Sequence, residues 1–265
     1  MATSATSATS ATSATSATSA TSATAPIHIG CAGWSLPRVQ WPQFAADGTH
    51  LQRYAGQLPA VEINSSFYRP HRRETYRRWA ASVPPHFRFS VKMPRRISHE
   101  LRLQGAAEAL AEFLQQVAGL GDKLGVLLLQ LPPSLPFEPA VAAAFFHLLV
   151  EGQVAPVVCE PRHASWFQPD ATALLRRVAI ARVAADPEPV PAAALPGACQ
   201  ERVYYRLHGS PRMYHSAYGS EFLHALAATL SGHCAAGQDT WCVFDNTAEG
   251  AALANALALR NLLER

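Results

Sequence analysis

No segment of this 265-residue chain approaches the roughly 18 uninterrupted apolar residues that a bilayer-crossing helix needs. Its longest greasy runs, VLLLQL and AAAFFHLLV, lie beside Pro or Gly and read as a buried strand and a buried helix face. No membrane association is expected. Charge is sparse: 15% of residues are charged against 49% hydrophobic, a balance that fills a sizeable core and argues against a disordered chain. Paired cysteines are missing as well. The five cysteines are odd in number, scattered and without a CxxC pair, which argues against a disulfide framework or a structural zinc and fits a reducing, cytoplasmic compartment. The amino terminus has neither the basic start and apolar centre of a signal peptide nor the arginines of a transit peptide, since none precedes Arg38. It carries seven ATS repeats and then ATAP, small polar side chains that bury too little apolar area to offset their ordering entropy. Residues 1–26 are therefore expected to be a disordered tail, and 27–265 a single domain.

From Ile27 onward, strand and helix signals alternate. Strands are expected at 27–35, 60–68, 87–93, 123–131, 155–163, 180–186, 202–209 and 240–246. Between them, apolar residues recur at i, i+3, i+4 and i+7, as in Leu51, Tyr54, Ala55 and Leu58. The run 123–131 is nearly continuous in apolar residues, as in a parallel strand covered on both faces. Four prolines and a glycine between Pro187 and Gln200 predict a loop where a sixth helix would sit. Eight strands alternating with about seven helices predict an α/β fold of the TIM-type (β/α)8 barrel kind, irregular after strand 6. An open doubly wound sheet fits less well, because no Gly-rich phosphate fingerprint follows the first strand.

Such barrels place their sites at the carboxyl ends of the strands. Those ends here hold Glu62, Asn64, Lys92, Gln130, Glu160, Arg162, His163, Asp186, Arg206, His208, Asp245 and Asn246. Glu62 and Asn64, Glu160 and Arg162, and Arg206 and His208 are each two apart, so each pair faces one side of its strand. Buried charges need partners, and some of these groups pair with one another, Glu160 with Arg206 for instance. Between Arg69 and Arg102 lie ten Lys or Arg and two acids, a basic window that includes Lys92, Arg95, Arg96 and His99 and would attract an anion. Trp34, Trp41, Phe67, Tyr68, Trp166, Tyr214 and Tyr218 fall in strand-end loops, where aromatic rings stack a base or sugar.

The strings GCAGWS, VEINSSFYR, FRFSVKMPRRISHELRL, LLLQLPPSL, CEPRHASWF, YYRLHG and VFDNTAEGAALANAL resemble the family called domain of unknown function 72, in the right order from Ile27 to about Leu259. The resemblance implies a TIM-type barrel short of some peripheral helices, and no established activity. Ser98 stands where the pattern has Thr before the His, which keeps the hydroxyl.

Three functions fit the strand-end ring. The first is hydrolysis of a phosphate-bearing substrate, a nucleotide or nucleic acid, with Arg162, Arg206 and Lys92 clamping the anion. Glu62 or Glu160 would be general base and His208 or His99 general acid, with Trp34, Asn64, Tyr68, Gln130, Asp245 and Asn246 completing the binding surface. The second is a divalent-metal hydrolase or isomerase using Glu62, Glu160, His163, Asp186, His208 and Asp245. It ranks lower, because HxH and HExxH spacings are absent and the adjacent arginines oppose a cation. The third is a non-catalytic module for RNA or another anion. No cofactor is assigned. Ala-rich helix faces leave few large apolar patches, so a monomer is expected.

Overall fold

The computed structural model describes Met1 and residues 26–264. The expected tail thus lies outside the described residues, its two ends apart. Ten strands form two sheets: β1 (Ile27–Cys31), β2 (Ala60–Ile63), β3 (Arg88–Lys92), β4 (Leu124–Gln130), β5 (Val157–Glu160), β6 (Ala181–Arg182), β7 (Ala184–Asp186), β8 (Gly197–Ala198), β9 (Arg202–Leu207) and β10 (Asp239–Phe244). One sheet has the order β1-β10-β9-β7 and the other β2-β3-β4-β5-β6-β8. All pairs are parallel except β6 with β8. The class is α/β, as expected.

Eight α-helices join these strands: α1 (His50–Ala55), α2 (Ser65–Tyr68), α3 (Arg73–Ala81), α4 (Ala107–Val117), α5 (Pro139–Glu151), α6 (Pro169–Arg177), α7 (Ser220–Ala235) and α8 (Ala251–Leu263). The start of α1 is held by a capping box, in which Thr49 Oγ1 accepts from the Gln52 N–H and the Gln52 side chain accepts from the Thr49 N–H. Two apolar clusters follow from the period-two alternation of the strands. The larger lies among helices and outer strand faces. The smaller contains Ala60, Val126, Leu128, Val158, Ala181, Val183, Tyr204, Trp241 and Val243, drawn from the inner faces of both sheets.

The two sheets meet at two seams. At one, the chain passes from β6, paired to β5, into β7, paired to β9, across Val183 alone. At the other, a lone parallel bridge joins Ala32 to Glu62. Below that bridge the Tyr54 hydroxyl fills the gap between β1 and β2: it accepts from the Cys31 N–H at 2.8 Å and donates to the Ala60 carbonyl at 2.9 Å. Gly30 faces the same carbonyl, and a Cβ there would sit 2.2 Å from the Ala60 oxygen. Tyr54→Phe leaves a buried N–H and a buried C=O without their partner, so a loss of about 1–3 kcal/mol is expected. An unchanged urea midpoint would show that the seam does not depend on the hydroxyl.

Three expectations need correction. The second strand stops at Ile63 rather than running to residue 68, because Asn64 turns into a helical conformation. Ser66 Oγ then donates to the Ile63 and Lys92 carbonyls and holds α2 against β3. The sixth strand is divided at Val183. The 187–200 segment lacks an α-helix, as expected, but is not wholly loop: a 3-10 turn covers Pro191–Ala194 and β8 adds to β6. Among the described residues no helix is long and apolar enough to cross a membrane.

Candidate functional site

Each site side chain is placed by strand alternation. Glu62 on β2 and Ser90 on β3 are register partners and face the same way, and so do Gln130 on β4 and Glu160 on β5. On β9 the alternate residues Tyr204 and Arg206 point inward, with His208 one step beyond the strand, and Asp245 follows β10. The inner faces of both sheets therefore deliver charged groups to one end of the interior cluster.

These groups are bonded to each other. The Arg206 guanidinium makes a forked pair with Glu62, Nε to Oε2 at 3.0 Å and Nη2 to Oε1 at 2.8 Å. It also reaches Glu160 Oε2 at 3.2 Å and Asp245 Oδ2 at 2.9 Å. Burial alone would lower the Arg206 pKa, but Asp245, Glu62 and Glu160 hold it well above its ordinary value. The Tyr204 hydroxyl bonds Glu62 at 3.0 Å and Ser90 at 2.9 Å. Burial and the Glu62 charge keep that phenol protonated.

His208, fully buried, sits between two carboxylates, with Nδ1 3.0 Å from Asp245 Oδ2 and Nε2 2.9 Å from Glu160 Oε1. Arg162 approaches the same Nε2 at 2.6 Å and also bonds Glu160 Oε1. Nδ1 thus donates to Asp245, while Nε2 faces both a donor, Arg162, and an acceptor, Glu160. Burial pushes the Glu160 and Asp245 pKa values up, yet the surrounding cations win. Arg162 and Arg206 hold Glu160 well below the usual carboxylate value, and Arg206 and His208 lower Asp245.

Lys92 is different. It is 5% exposed, and among the described residues no carboxylate or carbonyl pairs with its ammonium, which lies over the Phe67 ring at 4.0 Å. Burial, with Arg206 adding to it, lowers its pKa to about 8 against the pull of Glu62, Glu160 and Asp245. Asn64 lies one residue past the Ile63–Val91 pair, at the turn into α2, and among the described residues its buried Oδ1 has no partner. The Nε of Arg162 is likewise buried and unpartnered. Arg162 and Gln130 line a cavity of about 360 Å³ with Pro187, Glu188, Met213 and Tyr214.

Several expected residues take other work. Glu62 and Arg206, expected as base and clamp, neutralise each other with no accessible surface to offer a ligand. Asn246 ties a loop, its Nδ2 donating to the Ser216 carbonyl and to Asn255 Oδ1. His99 lies outside the ion-paired ring: Ser98 Oγ is 2.8 Å from its Nδ1, and its ring meets Phe67 edge-on with centroids 5.0 Å apart. Burial, then Lys92, lowers its pKa. Trp34 packs on Trp79, and Tyr68 is an exposed ring at the edge of Phe67. Trp166 is buried and bonds the Leu135 carbonyl, so the aromatic residues do not assemble into one stacking platform. Of the residues weighed as metal ligands, His163 bonds Ser165 and Asp186 accepts from Tyr218. Among the described residues no three His, Cys, Asp or Glu are grouped to hold a metal. Tyr204 and Ser90 were missed, although Tyr204 shares the period-two face of Arg206 and His208.

Residues 28–265 match the family described as "Protein of unknown function DUF72". The UPF0759 protein YecE of Escherichia coli (strain K12) is 33% identical over 123 residues, 46% of this chain and 43% of that protein. The UPF0759 protein YunF of Bacillus subtilis (strain 168) is 27% identical over 149 residues, 54% and 53% of the two chains. The matches thus span about half the length of these relatives. A DUF72 family protein from Enterococcus faecalis V583 superposes with a TM-score of 0.75 at 21% identity, over 91% of this chain and 96% of that one. Another from Thermotoga maritima MSB8 gives 0.74 at 24% identity, over 90% and 99%. At these identities the solved structures speak to the fold.

Proposed function

We propose, from the premise that this chain belongs to the DUF72 family, that its strand-end site binds a small phosphate-bearing substrate and carries out acid–base chemistry on it. The architecture fits this reading if the two sheets close around their shared interior cluster as one TIM-type barrel domain over 27–265, since the polar ring then caps the barrel at the carboxyl ends of its strands. The observation that carries the proposal is the unpaired Lys92. Every carboxylate of the ring is already bonded to Arg206, Arg162 or His208, while among the described residues Lys92 has no acceptor. A buried cation without a partner is costly, and an anion relieves that cost.

In this reading Lys92 and Arg162 hold the anion and Gln130 and Asn64 orient it. Arg206 does not touch it and instead pairs with Glu62 and helps to lower the pKa values of Glu160 and Asp245. His208 moves the proton through Nε2, with Asp245 fixing its tautomer and Glu160 stabilising its charged form. Glu160 and Arg162 form the frame around that nitrogen. The cavity of about 360 Å³ lined by Gln130 and Arg162, beside but not lined by Lys92, Asn64 or His208, is of the size that takes a small metabolite. That favours a free phosphorylated compound over a nucleic-acid strand.

Calorimetric titration with inorganic phosphate tests the reading. Lys92→Ala is expected to weaken binding about ten- to a hundred-fold, the worth of one charge-assisted hydrogen bond. The ammonium is the binding form, so affinity should hold below pH 8 and fall above it, where Lys92 loses its proton. Equal affinity in the variant, or no binding by the native chain at millimolar phosphate, would overturn the assignment.

A further inference from the structure

Lysine is scarce in this chain: twenty arginines accompany two lysines, Lys92 and Lys123. Lys123 precedes β4 and donates to the Pro84 carbonyl. Lys92 ends β3, at the head of the interior, with its ammonium on an aromatic face and no acceptor. Arginine stays protonated in proteins, whereas a buried lysine amine loses its proton readily. A chain that uses arginine for almost every cation thus keeps, inside its polar ring, a primary amine.

We propose that the Lys92 amine forms an imine with a carbonyl group of the substrate, so that the site takes a small aldehyde or ketone bearing an anionic group. The placement meets the requirements of such a nucleophile. Phe67 shields the amine on one side, no hydrogen bond ties up its lone pair, and the carboxylates of the ring lie close enough to favour a cationic imine. At pH 7 about a tenth of Lys92 is free amine, far more than for an ordinary lysine.

In the step itself, the Nζ lone pair attacks the carbonyl carbon and a C–N bond forms as the C=O π pair moves to oxygen. A proton passes from nitrogen to that oxygen and gives a carbinolamine. A second proton on the hydroxyl lets it depart as water while the nitrogen lone pair closes the C=N bond. Solvent supplies that second proton, since burial and the neighbouring Lys92 lower the His99 pKa and disfavour its protonated form. No oxidant or reductant is consumed.

This inference rests on the anion-binding reading only for the charged end of the substrate, which Arg162 holds once Lys92 has bonded to the carbonyl carbon, and one experiment separates the two. The full chain is incubated at about pH 7.5 with pyruvate, glyoxylate or dihydroxyacetone phosphate, each with sodium cyanoborohydride, and its peptides are mapped by mass. Lys92 should carry the reduced adduct of at least one carbonyl at about ten-fold or more the occupancy of Lys123. Lys92→Arg should abolish that adduct, and inorganic phosphate should slow its formation. Modification of Lys92 no greater than that of Lys123 with all three carbonyls, in protein that binds phosphate, overturns the imine and leaves the anion site standing. An adduct at Lys92 that phosphate does not slow supports the imine and removes the anion site. The peptide map of the native chain decides this even if the variant fails to fold.

Discussion

Replacing Arg206 with methionine is expected to destabilise the protein by about 3–5 kcal/mol at pH 7, among the largest losses any single substitution here should cause. The side chain is 1% exposed and pairs with Glu62, Glu160 and Asp245, so its removal strands buried carboxylates without their main cation. Methionine nearly conserves volume, so little of the loss comes from a cavity. The pH dependence distinguishes this cause from a packing defect. Glu160 and Asp245 have folded pKa values lowered below their unfolded values near 4, so they contribute stability above about pH 4 and lose it as pH falls through the folded values. The variant lacks that contribution at neutral pH and has less to lose in acid. The deficit against the native chain should therefore be full at pH 7 and shrink at pH 3, read from urea midpoints at both. A deficit that stays constant with pH would assign the loss to packing alone.

His208→Asn should act on turnover instead. The proposed proton carrier is removed, while Lys92 and Arg162, the proposed anion-holding pair, remain. A loss of about 10²- to 10⁴-fold in kcat on a phosphorylated substrate is expected, with phosphate affinity changed only slightly. The asparagine amide can still donate toward Asp245, which limits the structural cost. If kcat stays native and KM alone rises, His208 orients the substrate and does not carry the proton.

Much of the site was legible because a strand encodes direction locally. Glu62, Glu160, Arg206, His208 and Asp245 lie at strand ends, and the two-residue spacings in VEIN, CEPR and RLH assign side chains to one face without knowledge of the fold. The pairing of Glu160 with Arg206 was legible for a related reason, since unpaired buried charges are too costly to persist. Which charges remain for a ligand was not legible. That depends on a competition among three carboxylates and three cations converging from five strands, and only the final geometry shows Arg206 saturated and Lys92 left over. Local turns were hidden for the opposite reason. VEINSSFY has the composition of a continuing strand, and it turns at Asn64 because Ser66 finds the Lys92 carbonyl 26 residues away. Tyr54 read as an ordinary helix-face residue, because its periodicity reports its ring and says nothing of a hydroxyl closing a seam.

The forked pairing of Arg206 has a consequence for how the molecule comes apart. Glu62 and Glu160 belong to the six-stranded sheet, while Arg206 and Asp245 come from the four-stranded sheet and its end. Neither sheet can leave the other without breaking the ion pairs of one buried cluster and exposing half of the shared apolar interior. A state with one sheet folded and the other melted is therefore poorly populated, and denaturation should run as a single cooperative transition. The buried ion cluster at the strand ends is thus a clasp that makes two sheets one thermodynamic unit.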